Sequence, residues 1–146
     1  MKLTVHLVVP DAAAAADWYA RAFGARERSR IPLPGGGVMV VEVDFGGPVV
    51  HVGSEFPAAG IVSPLTVGGT ATVLQLNVDD VDAAWSRAVD AGAEVHHELA
   101  DTFWGEREGQ IVDPFGHRWG LSQHVRDVSL DEMRRAAAEV FGGASA

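Results

Sequence analysis

The sequence predicts an α+β fold: two tandem β-α-β-β-β modules forming a curved mixed sheet with a concave cleft, followed by a C-terminal helix. Three observations carry this. The stretch Val43, Asp44, Phe45, Gly46, Gly47 returns in outline as Val112, Asp113, Pro114, Phe115, Gly116, with the two aspartates 69 positions apart. The junctions Val9, Pro10, Asp11 and Val78, Asp79, Asp80 keep the same interval, so both ends of a repeated unit stay in register. Each unit also carries one helical stretch and four extended ones, which leaves one sheet face uncovered and calls for a second unit to close the domain.

Taken in order, each unit opens with an apolar strand, residues 3–9 and 73–78. An aspartate suited to capping a helix follows, Asp11 in one and Asp79 or Asp80 in the other. The first helix carries Trp18, Tyr19, Ala22 and Phe23 on one side and stops at Gly24; the second carries Val81, Ala84, Trp85, Ala88 and Val89 and stops at Gly92. Extended segments follow at 26–31, 37–44 and 48–53, with Gly46 and Gly47 as hairpin turn residues, and at 94–99, 110–113 and 117–124.

Residues 1–125 therefore read as one domain, with module one at 1–54, a Pro-, Gly- and Ser-rich linker at 55–70 and module two at 71–125. Residues 126–146 form a helical extension, in which Ser129 and Glu132 make a capping-box pattern and Leu130, Met133, Ala137, Val140 and Phe141 share a stripe. That stripe is expected to pack on the domain or on a second subunit.

Composition narrows the function classes. The chain has 146 residues and no cysteine, so disulfides, thiolate nucleophiles and cysteine-held metals are excluded. A formal net charge of −9 disfavours nucleic acid and anionic membranes as partners. No apolar run approaches the roughly 20 residues needed to span a bilayer, and no signal-peptide core opens the chain, which predicts a cytoplasmic protein. Nucleophile elbows, phosphate loops and dinucleotide fingerprints are missing; Gly35, Gly36 and Gly37 read as a turn.

Strand alternation locates the chemistry. One parity is uniformly apolar, Val5, Leu7, Val9, Val50, Val52, Leu74, Leu76, Val78, Trp119 and Leu121, and should face the helices. The other is mixed: Thr4, His6, Val8, Val49, His51, Gly53, Val73, Gln75, Asn77, Arg118, Gly120 and Ser122. A concave face with a few polar groups among apolar ones suits a small-molecule pocket, although a solvated sheet face reads the same way.

The paired units, the helix with Trp18 and Tyr19 leading to Phe23, Gly24 and Ala25, and the run Asp113, Pro114, Phe115, Gly116, His117 resemble the vicinal oxygen chelate superfamily of glyoxalases, bleomycin-resistance proteins and extradiol dioxygenases. Phe103, Trp104, Gly105, Glu106 and Arg107, with Asp127 through Met133, resemble its phosphonate-operon-associated, glyoxalase-like branch. The resemblance implies a divalent metal held by His or Glu from the first and last strand of each module. Those positions fall on Thr4, His51, Val73 and Gly120, of which only His51 is a good ligand. His6 and Gln75 could substitute, but they lie two residues along, roughly 6.6 Å away.

The expectation is therefore a protein that binds a small, aromatic or amphipathic molecule in a cleft lined by His6, His51, Gln75, Phe103, Trp104 and Arg118, with no metal or other cofactor. The alternative is a metal-dependent lyase, isomerase or dioxygenase using zinc, nickel, manganese or iron. A third reading is metal-free acid–base catalysis by His6 or His51. His6 could equally be a half-buried histidine bonded to a carbonyl. Arg118 could grip an anionic ligand or pair with an acidic residue. Phe103 and Trp104 could stack on a flat ligand or pack on the core. His96 and His97 alternate across a strand and, like His117 and His124, receive no role. Exposed sheet edges and the added helix predict a homodimer.

Overall fold

The computed structural model describes residues 1–143. Module one comprises β1 (Val5–Val9), α1 (Ala12–Phe23), β2 (Arg26–Pro32), β3 (Val38–Asp44) and β4 (Val49–Ser54). Helix α1 begins where its cap requires: the Asp11 carboxylate accepts from the amides of Ala13 and Ala14. It ends at Gly24, whose left-handed backbone (φ 70°) turns the chain back. The linker is more structured than its composition suggests, with a 3₁₀ turn (Pro57–Ala59) and a single-turn helix, α2 (Pro64–Val67).

Module two repeats the plan as β5 (Val73–Asn77), α3 (Val81–Asp90), β6 (Glu94–Asp101), β7 (Glu106–Val112) and β8 (Arg118–His124). Asp80 caps α3 through the amide of Ala83, while Ala91, not Gly92, closes it. Strand β7 starts at Glu106 instead of Gln110 because its ladder with β8 runs unbroken from Glu106–His124 to Val112–Arg118. Gly109 lies against the Trp85 ring of α3, which would collide with any side chain there. The added helix α4 (Leu130–Phe141) is capped by the Ser129 hydroxyl, as its sequence predicts, but none of its residues is buried.

The expected module pair is present as two four-stranded mixed sheets, ordered β1-β4-β3-β2 and β5-β8-β7-β6. In each, the first and last strands of the module pair in parallel, which puts the first strand at one edge of the sheet and the last strand inside it. The apolar parity of both sheets, with α1 and α3, forms one core around Tyr19, Ile111, Trp119 and Leu121. Burying each such side chain contributes about 2–3 kcal/mol. Helix α1 supplies the joint. Tyr19 and Phe23 lie 5.4 and 4.9 Å from the Trp119 ring of β8, and Trp18 Nε1 donates to the Ala91 carbonyl after α3. Arg87 of α3 donates to the carbonyls of Ala20 and Arg21 near the C-terminal end of α1. The helix-covered faces thus meet across the shared core, and the polar faces of the two sheets look outward, away from each other.

Asp113 completes the joint. It is 4% exposed and takes four hydrogen bonds: the amides of Phe115 and His117 on one oxygen, Tyr19 Oη (2.6 Å) and Trp119 Nε1 (2.9 Å) on the other. Burial first, then the Asp113 charge, pushes the Tyr19 phenol well above its ordinary pKa, which keeps it a donor. His117 adds a contact from its Nε2 to the Val8 carbonyl (2.8 Å). Asp113→Ala strands these donors in the core and should lower stability by about 3 kcal/mol or more, read from urea unfolding. Tyr19→Phe should cost about 1–2 kcal/mol, and the two losses should be less than additive because they remove one shared bond.

Candidate functional site

The outward face of the first sheet carries a cross-strand row. Pairing sets His6 beside His51, His51 beside Glu42 and Glu42 beside Ser29. The His6 and His51 rings meet edge-on with centroids 4.7 Å apart. Glu42 Oε1 lies 3.5 Å from His51 Nε2, and Ser29 donates to the other Glu42 oxygen at 3.1 Å. Sequence reasoning missed Glu42 and Ser29. The β3–β4 turn carried the signal for Glu42: with Asp44 paired to Val49, counting back two places sets Glu42 against His51.

Two cavities flank this row. One of about 460 Å³ is walled by Leu33, Met39, Phe56 and Ile61, with His6, His51, Ser54 and Glu55 as its polar groups. Its walls include exposed apolar side chains that a solvated face would not gather in one place. The other, about 500 Å³, lies towards Thr4, Arg28 and Glu42 on the opposite side of His51. An imidazole held by a carboxylate at the edge of an apolar cavity can donate, accept or move a proton.

The second sheet presents a different face. Gln75, Asn77, Glu108, Gln110 and Ser122 surround Gly120, and the Gln75 amide donates to Asn77. The buried Ser122 hydroxyl lies 3.2 and 3.3 Å from the carboxylates of Glu106 and Glu108. A cavity of about 310 Å³ joins Gln75 to Trp104, His97 and Glu108. Phe103 turns instead towards Trp104 and Phe141 of α4, with ring centroids 4.7 and 6.4 Å away. Arg118 opens on a third cavity beside α2. Of the six expected site residues, the structure brings His6 to His51 and Gln75 to Trp104; Phe103 touches the Trp104 ring without lining that cavity, and Arg118 stands apart from both pairs.

The donor set at the four positions of the expected metal centre is sparse. His51 contributes an imidazole and Thr4 a hydroxyl; Val73 and Gly120 have no side-chain donor, and Gln75 lies over Gly120, its Oε1 3.5 Å from where a Cβ would stand. These residues do not fit that centre. Among the described residues no group of three or more His, Asp or Glu is arranged to hold an ion. His96 and His97 are not on opposite sides as alternation implies: the register shifts around His97, and their rings meet at 4.5 Å. No helix among the described residues is long and apolar enough to cross a membrane.

A family model described as Glyoxalase/Bleomycin resistance protein/Dioxygenase superfamily matches residues 3–121. An uncharacterized protein of Mycobacterium bovis is 42% identical over 144 residues, 97% of this chain and 95% of that one. Among solved structures, TioX from Micromonospora sp. ML1 is 29% identical, covers 88% of this chain and 100% of its own, and superposes with a TM-score of 0.66. A glyoxalase/bleomycin resistance protein/dioxygenase family enzyme from Burkholderia phytofirmans PsJN is 20% identical over 84% of this chain and 97% of its own, with a TM-score of 0.64, a likeness of fold.

Beside the second face, His124 sits between Glu106 (2.9 Å) and Asp127 (2.7 Å), and these carboxylates raise its pKa above the ordinary histidine value. A raised pKa gives stabilisation that is complete below about 6.5 and is lost as pH climbs through the folded value. Proton NMR should show His124 titrating above 6.5 and Glu106→Gln lowering its midpoint. Amide exchange at 125–129 should quicken as the imidazole loses its proton.

Proposed function

The chain belongs to the glyoxalase/bleomycin resistance protein/dioxygenase superfamily, and we propose on that premise that it binds a small, largely apolar molecule, without the superfamily's catalytic metal. The observation that supports this most is the cavity of about 460 Å³ walled by Leu33, Met39, Phe56 and Ile61 above His6 and His51. Its size and its ratio of apolar to polar groups suit an aromatic or amphipathic guest. The sparse donor set at Thr4, Val73 and Gly120 supports a binder over a metal-dependent lyase, isomerase or dioxygenase. Within the superfamily, Phe103 through Arg107 favour the phosphonate-operon-associated, glyoxalase-like branch, and we read the protein as cytoplasmic.

We further propose that the working form is a homodimer. The two polar faces point apart in one chain, so a cleft with both walls needs a second copy, whose Gln75 and Trp104 would face His6 and His51 of the first. Light scattering should return twice the 15.4 kDa chain mass.

Binding is tested with N-phenyl-1-naphthylamine, a neutral apolar fluorophore. Its emission should rise saturably with the protein, and Phe56→Ala or His51→Ala should weaken binding roughly two- to tenfold, the worth of an aromatic contact. Unchanged affinity in both variants would remove the groove from the function. Elemental mass spectrometry on tag-free protein should find no stoichiometric zinc, nickel, manganese or iron; one metal per chain, lost in His51→Ala, would return the enzyme reading.

A further inference from the structure

We propose that the cavity where β8 begins is a carboxylate-binding site anchored by Arg118, a site separate from the histidine groove and independent of it. The reasoning starts from a contrast between two arginines. Arg107 and Arg118 are the half-buried arginines of the chain. Arg107 lies 2.9 Å from Asp82 and 3.2 Å from Asp101. The Arg118 side chain has neither ion pair nor hydrogen bond among the described residues, and its Nε is shut away from solvent with no partner.

That isolation is unusual in a chain with 20 acidic residues and a net charge of −9. Withdrawing a guanidinium from water without a counter-charge is costly, and the cost is recovered when an anion arrives. The charge is felt nearby: burial, then the charges of Arg118 and His97, lower the His96 pKa, with Glu94 opposing them. The Arg118 charge thus reaches His96, where Glu94 opposes it without pairing with Arg118.

The cavity is about 350 Å³, bounded by Pro64, Leu65, Gly68, Thr70 and Val112, with no carboxylate in its lining. Gly116 forms it: an added Cβ would come within 2.9 Å of Pro64 and 3.3 Å of Leu65, so the bare glycine (φ 89°) lets α2 settle onto the turn after Asp113. One cation among apolar walls matches a singly charged head on an apolar body. A planar guanidinium pairs with a carboxylate through two parallel N–H donors. A phosphate dianion would want a second cation, and the lining has none.

The test is a titration of the ¹⁵N-labelled full chain with benzoate, its uncharged analogue benzamide, and inorganic phosphate. The Arg118 Nε–H signal and the amides of Gly68, Thr70 and Gly116 are followed. Benzoate should shift them saturably, benzamide and phosphate should bind at least about tenfold more weakly, and Arg118→Gln should lose about tenfold or more in benzoate affinity. The proposal is overturned by benzamide matching benzoate, by phosphate outcompeting it, by absence of saturation, or by a folded Arg118→Gln that binds as the wild type does. Should that variant fail to fold, the benzoate-to-benzamide ratio on the wild-type chain decides alone. The histidine groove is read separately, since an apolar fluorophore displaced there leaves the Gly68 and Gly116 signals unmoved.

Discussion

The buried carboxylate of Asp113 is the interaction on which the molecule turns. One oxygen shapes the turn that starts β8 by accepting the amides of Phe115 and His117; the other reaches Tyr19 in the first module. A carboxylate this deep is tolerable because four donors replace the water it has lost. Through that turn it places His117 against Val8 and Gly116 beneath α2, and it sets where Arg118 leaves the strand. The second sheet is therefore oriented from a helix of the first.

The same joint determines where the mixed faces of the sheets point. Both sheets spend their apolar faces on one shared core, so both mixed faces are left outward, and a single chain offers two half-clefts. Pairing of whole modules between copies would supply the opposing wall without disturbing the core, since β1, β2, β5 and β6 are the free edges of the two sheets. This is the physical reason for expecting a dimer in which each cleft draws on both subunits.

Much of this was legible in the sequence, because it rests on local chemistry. Asp11 and Asp80 cap helices, Gly24 turns left-handed, and alternation separates Leu7 from His6. What was not legible depends on distant neighbours. Asp44 and Asp113 cap equivalent turns, Asp44 through Gly46 and Gly47, yet only Asp113 is buried, because a tyrosine 94 positions away covers it. The isolation of Arg118 is a fact about every carboxylate elsewhere in the chain, and strand parity could not report it. His96 and His97 were misread because a register shift breaks the period of two.

The duplicated module has kept its joint and let its faces diverge. The first face holds His6 and His51 beneath an apolar rim, and the second has Gln75 and Gly120 at the places of those histidines, with Asn77, Gln110 and Glu108 around them. A cleft assembled from one of each would have an apolar wall opposite a hydrogen-bonding one. Identical walls would bind a guest in two equivalent orientations; unlike walls favour one, with its apolar side against Phe56 and Ile61 and its polar side towards Gln75. Asymmetry between repeats can then provide orientation that a symmetric pair of modules lacks, and it leaves the core undisturbed because His6, His51, Gln75 and Gln110 lie on the far face of their strands from Trp119 and Tyr19, and Phe56 and Ile61 lie outside the strands.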